Sequence, residues 1–120
     1  MTRGKFKLIL SSLLLFTFIA GQLNAQSSSD ELFEKKIRPI LADNCYACHS
    51  SKMKKPMGGL VLDTKAGLLK GGVSGPAIVT GKPAESLFLR VMRYNDPMLK
   101  MPPAGKLPDA VIADFEQWIA

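Results

Sequence analysis

The stretch Cys45-Tyr46-Ala47-Cys48-His49 constrains this chain more than any other. Two thiols three residues apart, followed at once by an imidazole, meet the sequence requirement for covalent attachment of haem. On a helical turn, residues i and i+3 share a face, so both sulfurs can reach the vinyl groups of one porphyrin and form thioether bonds. The same turn carries His49 under the ring plane, where Nε2 can take the proximal axial position on iron. A thioredoxin-like pair would need a βαβ context, whereas an amphipathic helical pattern runs into this motif from its N-terminal side. A zinc site needs about four ligands, commonly Cys and His. The chain has no further Cys or His. Apoprotein that escapes maturation is expected to carry a Cys45–Cys48 disulfide.

Residues 1–25 have the pattern of a secretory signal peptide. Arg3, Lys5 and Lys7 form a positive n-region, residues 8–20 are an apolar run, and Leu23-Asn24-Ala25 is similar to a small-residue cleavage site before Gln26. The run falls short of the ~20 apolar residues that span a bilayer. No Cys follows it to take a lipid. About 95 residues then remain, one small domain whose core is marginal without a staple, which covalent haem would supply. Loss of Arg3, Lys5 and Lys7 leaves thirteen Lys and Arg against ten Asp and Glu, a net charge of +3. Two haem propionates would cancel most of it. With no RNP, helix-turn-helix or finger pattern present, a nucleic-acid partner is not expected.

The mature chain divides into a short polar lead, residues 26–29, and a domain over 30–120. Ser28 and Glu31 make a capping box for a first helix whose Phe33, Ile37, Ile40 and Leu41 paint one apolar stripe. Pro39 predicts a kink or a helix end near Arg38. After the motif come polar residues 50–56, whose Lys52, Lys54 and Lys55 either ring an exposed haem edge and steer an acidic partner or form an ordinary solvated loop. Residues 60–63 read as a short extended piece. Asp63 then caps a helix from Thr64 to Lys70 with Leu68 and Leu69 inward, ended by Gly71-Gly72. Residues 71–81 hold five glycines or prolines, a loop that can pass closely over something flat. Pro83 starts a helix ending near Tyr94, with Leu87, Phe88, Val91 and Met92 on its apolar face. A last helix, from about Asp109 to Ile119, carries Val111, Ile112, Phe115, Trp118 and Ile119 on one side and should cross the first, with Trp118 in the core.

Residues 95–106, NDPMLKMPPAGK, crowd Met and Pro between two helices. A thioether is a soft donor suited to low-spin iron, so the sixth ligand is sought here. Met101 is the candidate, because Pro102 and Pro103 forbid helix just after it and hold an extended segment that can present the sulfur opposite His49. Met98 is its rival. Met92 sits on a helix face as core, and Met53 and Met57 follow His49 too soon to reach the opposite haem face easily.

These residues together resemble the planctomycete-type cytochrome c domain, a branch of the class I cytochrome c fold. The resemblance covers nearly all of residues 30–119 and rests on FEKKIRPILADNCYACHS, GGLVLDTKAGLLKGG, SGPAIVTGKPAESLFLRVMRY, and KMPPAGKL followed by a helix ending in Trp118-Ile119. It implies an all-α domain with crossed terminal helices, one haem c bound through Cys45 and Cys48, and His49 and Met101 as axial ligands. It also implies export, since bacterial c-type systems attach haem outside the cytoplasm, which makes the periplasm the expected compartment. Pro108 departs from the pattern, standing where a Ser or Thr cap is usual. Such domains usually precede much longer regions, so this chain is expected to be either a stand-alone carrier or a truncated relative of a larger secreted protein.

The expected function is single-electron transfer between redox partner proteins, without enzymatic turnover. A catalytic or gas-sensing haem is the alternative if Met101 dissociates, although no second His is available and Arg90 and Arg93 read as surface charges. A docking or sensor module of a larger assembly is a third possibility. A carrier should be six-coordinate and inert to carbon monoxide and cyanide.

Overall fold

Pro39 shapes the first helix without ending it. A proline lacks an N–H and its ring clashes with the carbonyl four residues back. In the computed structural model, which describes residues 28–120, Phe33–Ile37 form a π-helical turn and the Arg38 N–H bonds to the Phe33 carbonyl. The wider turn makes room for the ring. The α-helix α1 (Arg38–Asn44) then carries Pro39 near its start, where a missing donor costs least. Ser28 is already helical, so the expected capping box does not begin this helix at Ser28. The signal peptide expected over 1–25 lies outside the described residues.

Three further helices follow, α2 (Lys65–Lys70), α3 (Leu87–Met92) and α4 (Asp109–Ile119), and no strand occurs among the described residues. The all-α expectation holds. The apolar stripes at the two ends of the domain meet as their periodicity requires. Ile37 and Leu41 are fully buried in one core with Ile112, Phe115 and Ile119 of α4. Each such burial contributes roughly 1.5–3 kcal/mol. The contact is extended at its edges by the Phe33 and Trp118 rings, 5.2 Å apart, and by Lys36 Nζ on Asp114 Oδ1 at 2.9 Å. Trp118 is core packing, as expected.

Local details differ where side chains have better partners than the nearest helix end. Thr64, not Asp63, caps α2: its backbone is extended and its side chain accepts from the Gly67 N–H. Asp63 is taken up across the loop by Ser51, whose N–H and Oγ donate to it at 2.8 and 2.7 Å. Leu68 is buried but Leu69 is 44 % exposed, because a helix of under two turns can present only one narrow face. The helix expected from Pro83 is broken at Ser86. Pro83–Glu85 form a single 3-10 turn, and the buried Ser86 takes extended angles while its Oγ accepts from Val79 N–H at 2.9 Å and donates to Lys82 C=O at 3.1 Å. The stripe on α3 also includes Leu89, which is fully buried. Helix α4 starts where expected: Pro108 supplies its carbonyl to the Val111 and Ile112 N–H groups, so the helix begins without a side-chain cap.

Candidate functional site

Helix α1 ends at the first cysteine. The Cys45 N–H still bonds to Leu41 C=O at 2.9 Å, and the Cys45 carbonyl then accepts from both Cys48 N–H and His49 N–H, at 3.1 and 2.9 Å. This closes a tight turn from which Cys45, Cys48 and His49 all reach the wall of one cavity. Two bonds pin the turn from outside: Met57 N–H to Cys48 C=O at 3.0 Å and Leu62 N–H to His49 C=O at 2.9 Å. The extended piece expected over 60–63 thus serves as a brace. The Ser51–Asp63 bonds continue it, and they hold the Asp63 carboxyl below its ordinary value by outweighing the opposing effect of desolvation.

The cavity measures about 350 Å³. Its walls include residues of α1, α3 and α4, with Ile40 and Phe88 among them and Phe115 at 5.3 Å from the Phe88 ring. Residues 72–75 and Ala77 form another wall, and the close approaches of the glycine-rich loop are to backbone carbonyls, its own and that of Gly58. The glycines are needed there. At Gly72 an added Cβ would lie 2.4 Å from the Gly58 carbonyl, and at Gly71 one would lie 1.9 Å from that of Gly75. Such a volume, apolar with a few polar groups, is the size and character of a cofactor pocket.

The methionines separate cleanly. Met101 lines the cavity, held by its N–H to Val91 C=O at 3.2 Å, with a cis bond to the buried Pro102. Met98 is 87 % exposed and off the wall. Met53 is also off the wall, whereas Met92 lines the cavity as buried core of α3 and Met57 stands at its rim, half exposed. Val73 and Leu99 join Met57 there as exposed apolar residues. Arg90 and Arg93 point elsewhere: they pair with Asp96 at 3.3 Å and with Glu116 at 2.7 Å, and neither lines the cavity. Lys52, Lys54 and Lys55 are exposed and off the wall as well. Sequence reasoning missed Tyr94, whose hydroxyl donates to the Pro102 carbonyl beside Met101. Its only sequence signal is an aromatic residue just past a helix end.

Two features of the turn bear on its chemistry. Burial, and then the neighbouring Cys48, push the Cys45 thiol up to about 11. It is therefore protonated at neutral pH, the opposite of the low-pKa thiolate a thiol-redox pair requires. His49 Nδ1 is buried with no hydrogen-bond partner. This is the ring nitrogen other than the Nε2 that would take iron, so its missing partner is a cost of about 1–3 kcal/mol within the turn and says nothing of the iron position.

A helical shell around an apolar cavity, with a Cys-x-x-Cys-His turn on one wall and a methionine loop on another, defines a cytochrome of the c type, a haem-binding class. The family model for planctomycete cytochrome C matches residues 45–105, and the chain belongs to that family. Comparisons with curated proteins and with solved structures found no match. The matched stretch runs from the first cysteine past the Met101 loop, so the π-helical turn, α1 and α4 lie beyond it. The residues present fit the haem c that the family implies: two thiols, an imidazole and a thioether share the wall of one cavity that is otherwise mostly apolar.

Proposed function

We propose that this protein is a single-electron carrier of the periplasm, holding one haem c through thioether bonds to Cys45 and Cys48, with His49 and Met101 as the axial ligands. The observation that carries this reading is the presence of Met101 and the Cys45–His49 turn on one cavity, with Met98 outside it. Haem supplies a one-electron couple, its iron alternating between ferric and ferrous.

The chain's own residues supply the rest. The two backbone bonds onto Cys48 and His49 fix the imidazole's place, so little reorganisation accompanies a change of charge. A Met thioether opposite His raises the reduction potential relative to two nitrogen donors. Ile40, Phe88 and Phe115 keep water from the cavity, which further favours the less charged state. Met57, Val73 and Leu99 form an apolar collar at the rim where a partner can come close. Lys52, Lys54 and Lys55, exposed in the loop that leads to Met57, supply positive charge that would steer an acidic redox partner. Export rests on the signal-like pattern of residues 1–25. No helix among the described residues is long and apolar enough to cross a membrane.

The test is a visible spectrum of protein matured with a c-type haem assembly system, beside Met101→Ala and Met98→Ala. The expected result is sharp α and β bands on reduction, and a ferric Met-to-iron band at the red edge that only Met101→Ala abolishes. The carrier should also stay inert to carbon monoxide. Failure of haem to attach, or a red-edge band that survives Met101→Ala, would overturn the assignment.

A further inference from the structure

Helix α3 ends in a conformation that its sequence does not favour. Tyr94 has φ +61° and is the one non-glycine residue with positive φ among those described. Its N–H bonds to Val91 C=O at 3.2 Å and the next N–H, that of Asn95, bonds to Arg90 C=O at 3.2 Å. This pair of bonds is the Schellman ending, whose left-handed position is normally filled by glycine because a Cβ there is strained. A residue kept in a strained place signals that its side chain has work that glycine could not do.

That side chain embraces Met101 from both sides in sequence. The Tyr94 hydroxyl donates to the carbonyl of Pro102, and Lys100 Nζ lies 5.9 Å above the Tyr94 ring. Between them, the Met101 N–H bonds to Val91 C=O, the same carbonyl that accepts from Tyr94. Asp96 secures the start of the loop by accepting from the Met98 and Leu99 N–H groups at 2.9 Å each. Tyr94 is not on the cavity wall, so anything it does there it does through Met101.

We propose that Tyr94 is a positioning residue that latches the Met101 loop to the end of α3 and so holds the thioether in place as an iron ligand; this rests on the Met101 ligation proposed above. The latch restrains Met101 from swinging away and opening the sixth position to outside ligands. Its function is distinct from capping, because the helix-end bonds use only backbone groups.

The test is Tyr94→Phe in the matured holoprotein, which keeps the ring and removes the hydroxyl. Loss of a hydrogen bond worth about 1 kcal/mol corresponds to about fivefold in the open-to-latched ratio. Ferric Tyr94→Phe should therefore bind imidazole about fivefold more tightly than wild type, and its Met101 amide should exchange hydrogen about fivefold faster. Equal imidazole affinity and equal exchange would overturn the latch. If wild type itself lacks the Met-to-iron band, the ligation reading has failed, and amide exchange alone then decides: faster exchange in Tyr94→Phe keeps the latch on the loop, and unchanged exchange refutes it.

Discussion

Haem-free protein, made as Cys45→Ala/Cys48→Ala and expressed without haem supply, must either collapse its cavity or tolerate it. The cavity is about 350 Å³, and enclosed unfilled core volume costs about 24 cal/mol per Å³, so roughly 8 kcal/mol is the ceiling for a cavity that opens to water at the Met57, Val73 and Leu99 rim. A unit spanning Leu32–Ala120 should have a total stability of about 4–13 kcal/mol. Even part of that ceiling is a large fraction of the whole stability. Collapse is opposed by the layout, because the walls belong to α1, the 72–75 loop, α3, the Met101 loop and α4, and α1 and α4 are already fixed against each other through Ile37, Leu41 and Phe115. The expected result is a compact state that keeps most of its far-ultraviolet circular dichroism while losing the near-ultraviolet signal of the Phe33–Trp118 and Phe88–Phe115 pairs, and that binds a hydrophobic dye. A haem-free protein that unfolds cooperatively in guanidinium within about 2 kcal/mol of the holoprotein would refute the reasoning, since it would show that the shell stands by itself.

Three further outcomes are expected. Phe115→Ala removes a ring that serves both the helix core and the cavity wall, and should lower holoprotein stability by about 3–5 kcal/mol in denaturant titration; a loss under 1 kcal/mol would mean the site repacks. Gly71→Ala should give little folded protein, because φ is +71° and the new Cβ would lie 1.9 Å from the Gly75 carbonyl oxygen; the backbone conformation alone costs about 1–3 kcal/mol, and a normal melting temperature would contradict the geometry. Asp63 stabilises the brace behind His49 through its bonds from Ser51, and its folded-state pKa lies below the ordinary 3.8. A lowered carboxylate pKa means stability that is present above the ordinary value and lost as pH falls through the folded one. Asp63→Asn should therefore melt lower than wild type at neutral pH, with the difference shrinking once the pH drops below about 4. A difference that stayed constant down to pH 2 would point away from the carboxylate.

Much of the site was legible because its chemistry is local in sequence. Cys45, Cys48 and His49 lie within five residues, so one turn brings them together whatever the rest of the chain does. Helix α4 was legible as an element, since its apolar stripe at three- and four-residue spacing has one good partner, while Pro108 in the usual cap position left its first residue to the structure. Ile37 and Leu41 were likewise assigned to the core by periodicity alone. Two prolines rule out helix just beyond Met101, which is the sequence's reason to prefer it to Met98, and only the structure reports that Met101 lines the cavity while Met98 is exposed.

What the tertiary structure decided depends on partners distant in sequence or on backbone angles that side-chain identity does not report. Asp63 is the better cap on paper, and the place fell to Thr64 because Ser51, twelve residues away, claims the Asp63 carboxylate. Ser86 interrupts a segment of good helical pattern because Val79 and Lys82 bond its hydroxyl. The π-helical turn ahead of Pro39 keeps the helix running where proline predicts a stop, since continuing it preserves the burial of Ile37 and Leu41 against α4. Tyr94 is the sharpest case: its positive φ opposes its residue type, and only the folded loop reveals the Pro102 carbonyl that its hydroxyl meets. Periodicity and spacing thus determined the elements and the Cys45–His49 turn, where each residue acts on neighbours a few positions away. The tertiary structure determined which polar groups meet across loops, because a hydrogen bond selects its partner by distance in space.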